Sequence, residues 1–363
     1  MTRRAHAPLI VLVSLLASVP AVTQSRFTDV ERIAAEGHKE SGAPGMSVAV
    51  AVGDRLVWSQ GFGLADVENE TPARASTVYR IASISKPIAA TAVMQLAERG
   101  RVNIDDPVQT YVRTFPPKGE QTLTVRHLLT HTSGIRHYRS AREMESRDSY
   151  ESIEDAFRIF QDAPLLFAPG TKYSYSTYGY NVLAGVVEAI SGLAFETYLR
   201  THIWGPAGMS STYFDYVSAI IPRRARQYVR EGPSLLNGPY ADLSNKWAGG
   251  GMLSTAEDLI RFHIALDEGK LLKPETLRQM YAPHRLSDGS ETTYGLGWAS
   301  WKDASGQAWI GHAGGATGGT TFLVRDPIRR LAVAVLCNME RAEGLGALAE
   351  RIAQAAAKSV KTN

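Results

Sequence analysis

Apolar residues first gather between Leu9 and Val19, behind Arg3 and Arg4 and ahead of Val19-Pro20-Ala21. The stretch is too short to cross a bilayer and has the layout of a secretory leader cut after Ala21; an uncleaved N-terminal anchor is the alternative. We expect residues 1–21 to be leader and 22–363 to form one folded unit. A polar helical pattern follows Gln24 to about Glu40 and breaks at Ser41-Gly42-Ala43-Pro44-Gly45. Met46–Val52 reads as a strand, Gly53-Asp54 as a hairpin turn and Arg55–Gly61 as the return strand. Helical spacing dominates from roughly 84 to 280, most clearly over 84–99, 152–161 and 178–191. Strands return near 294–300, 307–312, 319–325 and 330–337, and a last helix covers about 342–358. The uninterrupted apolar run Leu331–Cys337 predicts a central strand. The fold class expected is α+β, an α/β sandwich: an antiparallel sheet with terminal helices plus an inserted helical subdomain. The charged stretch Arg139–Asp155 reads as a solvated loop or a mobile lid.

The net charge of +3 on 363 residues, without a dense Lys/Arg run, argues against a nucleic-acid partner. The single cysteine, Cys337, excludes an intramolecular disulfide and reads as a buried structural thiol. His127 and His131 have the spacing of zinc ligands on a helix, but no Glu lies between them and His137 falls beyond Gly134. We therefore expect no metal and no cofactor, and read Thr124–Gly134 as a structural helix end. The partner expected is a small-molecule or peptide substrate. No stable membrane span is expected after leader cleavage, and the sequence does not fix an oligomeric state.

The sharpest chemical signal is Ser83-Ile84-Ser85-Lys86. A serine hydroxyl needs a base to become a nucleophile, and a lysine three residues on shares its helix face. Pro87 is tolerated only near a helix start, so Ser83 N–H belongs to the unpaired donors of the first turn. By itself the pattern also fits an N-cap serine with an exposed lysine. Tyr175-Ser176-Thr177, after Pro169-Gly170, adds a tyrosine able to move a proton, its pKa lowered if Lys86 supplies a nearby cation. Tyr173, two residues away, could share that face. His312-Ala313-Gly314-Gly315 adds a strand edge open to a substrate backbone, with Gly315 N–H as a second oxyanion donor.

These motifs, in this order, resemble the serine beta-lactamase and penicillin-binding protein superfamily. Tyr79–Lys86, His127–Gly134, Pro206-Ala207-Gly208-Met209 and Gly249–Thr255 resemble further hallmarks of its class C beta-lactamase and D-Ala-D-Ala carboxypeptidase branch. Tyr175-Ser176-Thr177, Lys246–Gly251 and His312–Ala316 resemble segments of the mitochondrial serine beta-lactamase-like proteins. The resemblance covers nearly all of residues 22–363. It implies a beta-lactamase/transpeptidase-like fold and an acyl-enzyme on Ser83. It also implies that Lys86 activates the serine, that Tyr175 relays a proton, and that Ser83 and Gly315 N–H groups form an oxyanion hole. Whether Lys86 or Tyr175 takes the first proton stays open. Two positions depart from the usual pattern: Thr177 stands where most members have Asn, and His312 where most have Lys. Both count as substrate-binding positions, and both weigh against an efficient beta-lactamase. His312 is expected to titrate near 6.5 and to tie the binding of carboxylate-bearing substrates to pH. The expected activity is an exported, periplasmic or secreted serine hydrolase, first a peptidase. An esterase, a beta-lactamase or a non-catalytic penicillin-binding sensor are the alternatives.

Overall fold

The computed structural model describes residues 27–361. The expected leader, 1–21, lies outside the described residues. Helix α1 (Thr28–Ser41) leads into β1 (Gly45–Val52) and β2 (Arg55–Asp66). Their hairpin turns at Gly53, whose φ of 63° suits glycine. Short strands β3 (Thr71–Pro72) and β4 (Tyr79–Arg80) precede helix α2 (Ser85–Glu98). The middle holds α3 (Val125–Leu129), α4 (Thr177–Ser191), strands β5 (Tyr213–Phe214), β6 (Tyr228–Glu231), β7 (Ser234–Asn237) and β8 (Met252–Ser254), and α5 (Ala256–Asp267). The chain closes with β9 (Ala299–Lys302), β10 (Ala308–Ala316), β11 (Gly319–Asp326), β12 (Leu331–Cys337) and α6 (Leu345–Lys361).

The main sheet is antiparallel, in the order β3-β2-β1-β12-β11-β10-β9. Both faces of its centre are covered. Val48, Val50, Val333 and Val335 join Val30, Leu348 and Ile352 of the terminal helices in one core cluster. The alternate residues Ala49, Ala51, Ala332 and Ala334 face a second, larger core that includes Leu259 and Phe262 of α5. Period-two alternation therefore sends large residues to one side and small ones to the other. With both sides dry, every position of β12 is apolar. Cys337 is buried at the end of this strand, and burial pushes its thiol up to about 11, so it is inert.

The middle of the chain is less helical than its spacing predicts. The expected helices 84–99 and 178–191 form as α2 and α4, but 152–161 yields only a 3-10 turn, Asp155–Ile159. Its apolar residues anchor a loop instead: Phe157 meets Phe115 edge-on at 5.6 Å, and Phe160 stacks on Tyr178 at 4.9 Å. A small sheet, β4-β8-β5, was not expected, because two- and three-residue strands carry no readable period. Segment 139–155 is tethered rather than freely solvated. Tyr150 N–H donates to Ser244 Oγ at 2.8 Å, and Asp242 N–H to Ser146 O at 2.8 Å. Among the described residues no single helix is long and apolar enough to cross a membrane.

Candidate active site

The nucleophile segment is fixed before its helix begins. Arg80 on β4 is buried and donates to Asp215 (Nε to Oδ2, 2.6 Å), Thr317 O (2.9 Å) and Ala241 O (3.1 Å). Breaking such a buried pair costs about 3–5 kcal/mol, because the surviving charge is left uncompensated. Ala82 then takes a φ of 48°, a strained value for a residue with a Cβ. Ser83 follows on a 3-10 turn, Ala82–Ile84, which runs into α2. The turn's hydrogen bonds run from Ile84 N–H to Ile81 O and from Ser85 N–H to Ala82 O, so Ser83 N–H stays outside the ladder. Strand β10 presses against this turn at Gly314, where an added Cβ would lie 2.4 Å from Ile81 O. Thr321 Oγ1 on β11 donates to the same carbonyl at 3.0 Å.

Lys86 lies one turn beyond Ser83 and is fully buried. Its Nζ sits 3.0 Å from Ser83 Oγ, 3.2 Å from Thr177 Oγ1 and 2.5 Å from Gly249 O. Burial, aided by the nearby cation Lys246, holds its pKa well below the usual lysine range. Lys246 is itself buried and is pushed down to about 7, chiefly by desolvation.

Tyr175 completes the constellation. Lys86 Nζ stands 4.6 Å from its ring centroid, and the Ser83 side chain is near enough to favour its ionised form. Burial raises its pKa well above that of free tyrosine, and the influence of Ser83 only partly offsets this. The expectation that Lys86 acts as a cation lowering the Tyr175 pKa is therefore corrected. Desolvation dominates both groups, leaving Tyr175 a phenol and favouring the neutral form of Lys86. Tyr173 is 41% exposed and sits at the rim, edge-on to His131 at 6.0 Å.

His312 is also placed differently from expectation. It is buried on β10, with Nδ1 2.6 Å from Ala313 O and Nε2 2.8 Å from the Tyr294 hydroxyl. Nδ1–H donates to the carbonyl and Nε2 accepts from the phenol, so both nitrogens are occupied. Burial, reinforced by Lys86, lowers its pKa to about 3. It is neutral near pH 6.5 and cannot supply the titrating cation expected there. Thr177 is buried too and turns its hydroxyl to Lys86. It contacts the lysine rather than an open cleft. Gly315 is exposed, and a Cβ built on it would meet nothing within 4 Å. Strand β9 pairs with β10 only as far as Gly311, so the edge beyond it is free of β9.

Ser83, Lys86, Thr177 and Tyr175 are thus brought into contact, and Gly314 seats β10 on the Ser83 turn. The sequence reading missed the Gly249 carbonyl, the Tyr294 partner of His312, and His131. The imidazole of His131 lies 4.2 Å from the Tyr175 ring, although its segment had been read as a plain helix end. The Gly249-Gly250-Gly251 run was the one available signal for the carbonyl, since close approach needs small residues.

The Beta-lactamase family pattern matches residues 30–357. The chain is 32% identical to the human (Homo sapiens) mitochondrial serine beta-lactamase-like protein LACTB, over 86% of this chain and 76% of that protein. It is 30% identical to esterase EstB of Burkholderia gladioli, over 70% of this chain and 73% of that one. Among solved structures, the octameric penicillin-binding protein homologue from Pyrococcus abyssi superposes with a TM-score of 0.76 at 28% identity, covering 88% of this chain and 75% of that one. The chain belongs to the beta-lactamase family and is a serine hydrolase of the beta-lactamase and penicillin-binding protein superfamily.

Proposed function

We propose that the protein is a peptidase-like hydrolase that transfers the acyl group of a peptide amide to Ser83 and then to water. The observation that carries this reading is the buried Lys86 amine 3.0 Å from Ser83 Oγ. A neutral amine has two hydrogens and one lone pair. Thr177 Oγ1 and Gly249 O accept the hydrogens, and the lone pair is left for the Ser83 proton. Lys86 takes that proton as Ser83 Oγ bonds to the substrate carbonyl carbon. The developing oxyanion meets the N–H groups of Ser83 and Gly315, each such donor being worth roughly 3 kcal/mol. The Tyr175 hydroxyl gives its proton to the departing nitrogen, the carbon–nitrogen bond breaks, and Lys86 returns a proton to Tyr175. Water then repeats the sequence with the serine as leaving group.

Peptides come before esters because the free β10 edge, with Ala313 and Gly315 exposed, offers backbone hydrogen-bonding groups to an extended chain. A beta-lactamase ranks lower, because neutral His312 gives no cation to grip a carboxylate. We also propose export, from the Arg3-Arg4 and Leu9–Val19 pattern. Intact-mass measurement after a fluorophosphonate probe, then a peptide and ester panel, tests the reading. Wild type should gain one adduct and turn over at least one substrate, while Ser83→Ala does neither and keeps its Tm. Labelling of the alanine variant would assign the nucleophile elsewhere, and a burst without turnover would make the protein a binding sensor.

A further inference from the structure

One residue holds Tyr175 from both sides along the chain. The His131 carbonyl accepts Ser174 N–H at 2.9 Å, and its ring Nδ1 accepts Ser176 N–H at 3.1 Å. Between these two bonds the Tyr175 ring lies against the imidazole, with centroids 4.2 Å apart and planes inclined by 39°. Tyr294 and Tyr180 close the cage, at 4.6 Å and 5.2 Å from the same imidazole.

His131 reaches this place at a φ of 58°, a conformation that residues with a Cβ seldom adopt. It is only 1% exposed. Because Nδ1 accepts a hydrogen bond, the ring proton sits on Nε2. That Nε2–H is buried and has no hydrogen-bond partner among the described residues. A strained backbone and an orphaned donor are both costs. The left-handed backbone belongs to the helix end, where Thr132 N–H donates to His127 O at 2.9 Å and His131 N–H to Leu128 O at 3.4 Å, but the buried, orphaned ring donor plays no part in that end. What the buried ring secures is the angle and depth of the Tyr175 side chain.

We propose that His131 is a positioning residue for the proton-donating hydroxyl of Tyr175, clamping Ser174-Tyr175-Ser176 so that this hydroxyl meets the leaving group. The inference rests on the hydrolase reading above, with Tyr175 as leaving-group acid. It predicts a selective defect. A leaving group that departs as a stable anion needs no proton, whereas a basic alkoxide does.

The test is kcat/KM, which reports acylation, for the ethyl and 4-nitrophenyl esters of one acyl group. His131→Leu should lower the ethyl ester value by about 10- to 100-fold, the scale of a misplaced catalytic group. The nitrophenyl ester should stay within about threefold, since it does not draw on the acid. His131→Asn tolerates positive φ and offers Oδ1 near the position of Nδ1, so it should recover most of the ethyl ester activity. Equal loss on both esters, loss on neither, or an asparagine variant no better than leucine would overturn the clamp. Should the leucine variant fail to fold, His131→Gly, which accepts the positive φ and lacks the ring, is combined with Tyr175→Phe. Coupled effects on the ethyl ester support the clamp, and additive ones overturn it. A wild type that turns over neither ester overturns the hydrolase reading itself. A wild type that turns over both, with variants losing both alike, overturns this inference alone.

Discussion

Around Ser83 the ionisable groups are driven toward neutrality by burial. Lys86, His131 and His312 are fully dry, His137 is half-buried, and each has its pKa lowered chiefly by desolvation. The exception with intermediate character is Lys246, pushed down to about 7 and held by the Met144 carbonyl. The His312 value of about 3 has a direct kinetic consequence. Between pH 5.5 and 8 its charge does not change, so its titration leaves KM for a carboxylate-bearing peptide flat. Steady-state kinetics on one anionic and one neutral peptide check this; an anion-specific rise in KM with pH would show a histidine titrating near its free value of about 6.5. Short motifs made Ser83, Lys86 and Tyr175 legible in the sequence, because each sits in a local pattern with its own chemistry. The Gly249 carbonyl and the His131 clamp were not legible. His131 meets Ser176 across 45 residues, and no local spacing encodes that crossing.

Strand β10 works as a two-sided element in which neighbouring glycines have opposite duties. Gly314 faces inward and is the only residue type that lets the strand rest on Ile81 O, while Gly315 faces open space. Gly314→Ala should therefore push the nucleophile turn away, costing about 1–3 kcal/mol of stability together with most turnover. Gly315→Ala should leave stability within about 0.5 kcal/mol. Denaturant unfolding and kcat/KM of the two variants decide it, and equal stabilities would mean that the strand yields without strain. At this scale the long elements were the readable ones. Strands β1, β2, β11 and β12 and helices α2 and α4 carry enough residues for a period to show. Segment 152–161 misled because Phe157 and Phe160 mimic a helical face while serving as anchors in a 3-10 turn.

For the whole molecule, the depressed histidines set how it meets acid. His127 and His137 have folded-state values of about 4 and His312 of about 3, against about 6.5 in the unfolded chain. Below 6.5 the unfolded state binds more protons, so these groups contribute full stability above that pH and lose it progressively toward 3. Tm should fall steeply from pH 6.5 to 4, and it should rise from pH 7 to 8 as folded Lys246, pushed down to about 7, loses a proton that the unfolded chain keeps. A Tm unchanged down to pH 4 would refute the burial of these rings. The sheet order carries a consequence of another kind. Strand β12 stands between β1 and β11, and Gly45 N–H closes onto Asn338 Oδ1 across 293 residues of sequence. On a ribosome the β1–β2 hairpin emerges well before β12 and must wait, its inner edge unpaired, for that strand to be made. Loop closure of that length is slow. Since β10 reaches the Ser83 turn only as part of the finished sheet, the hydrolase stays silent until β12 has been made.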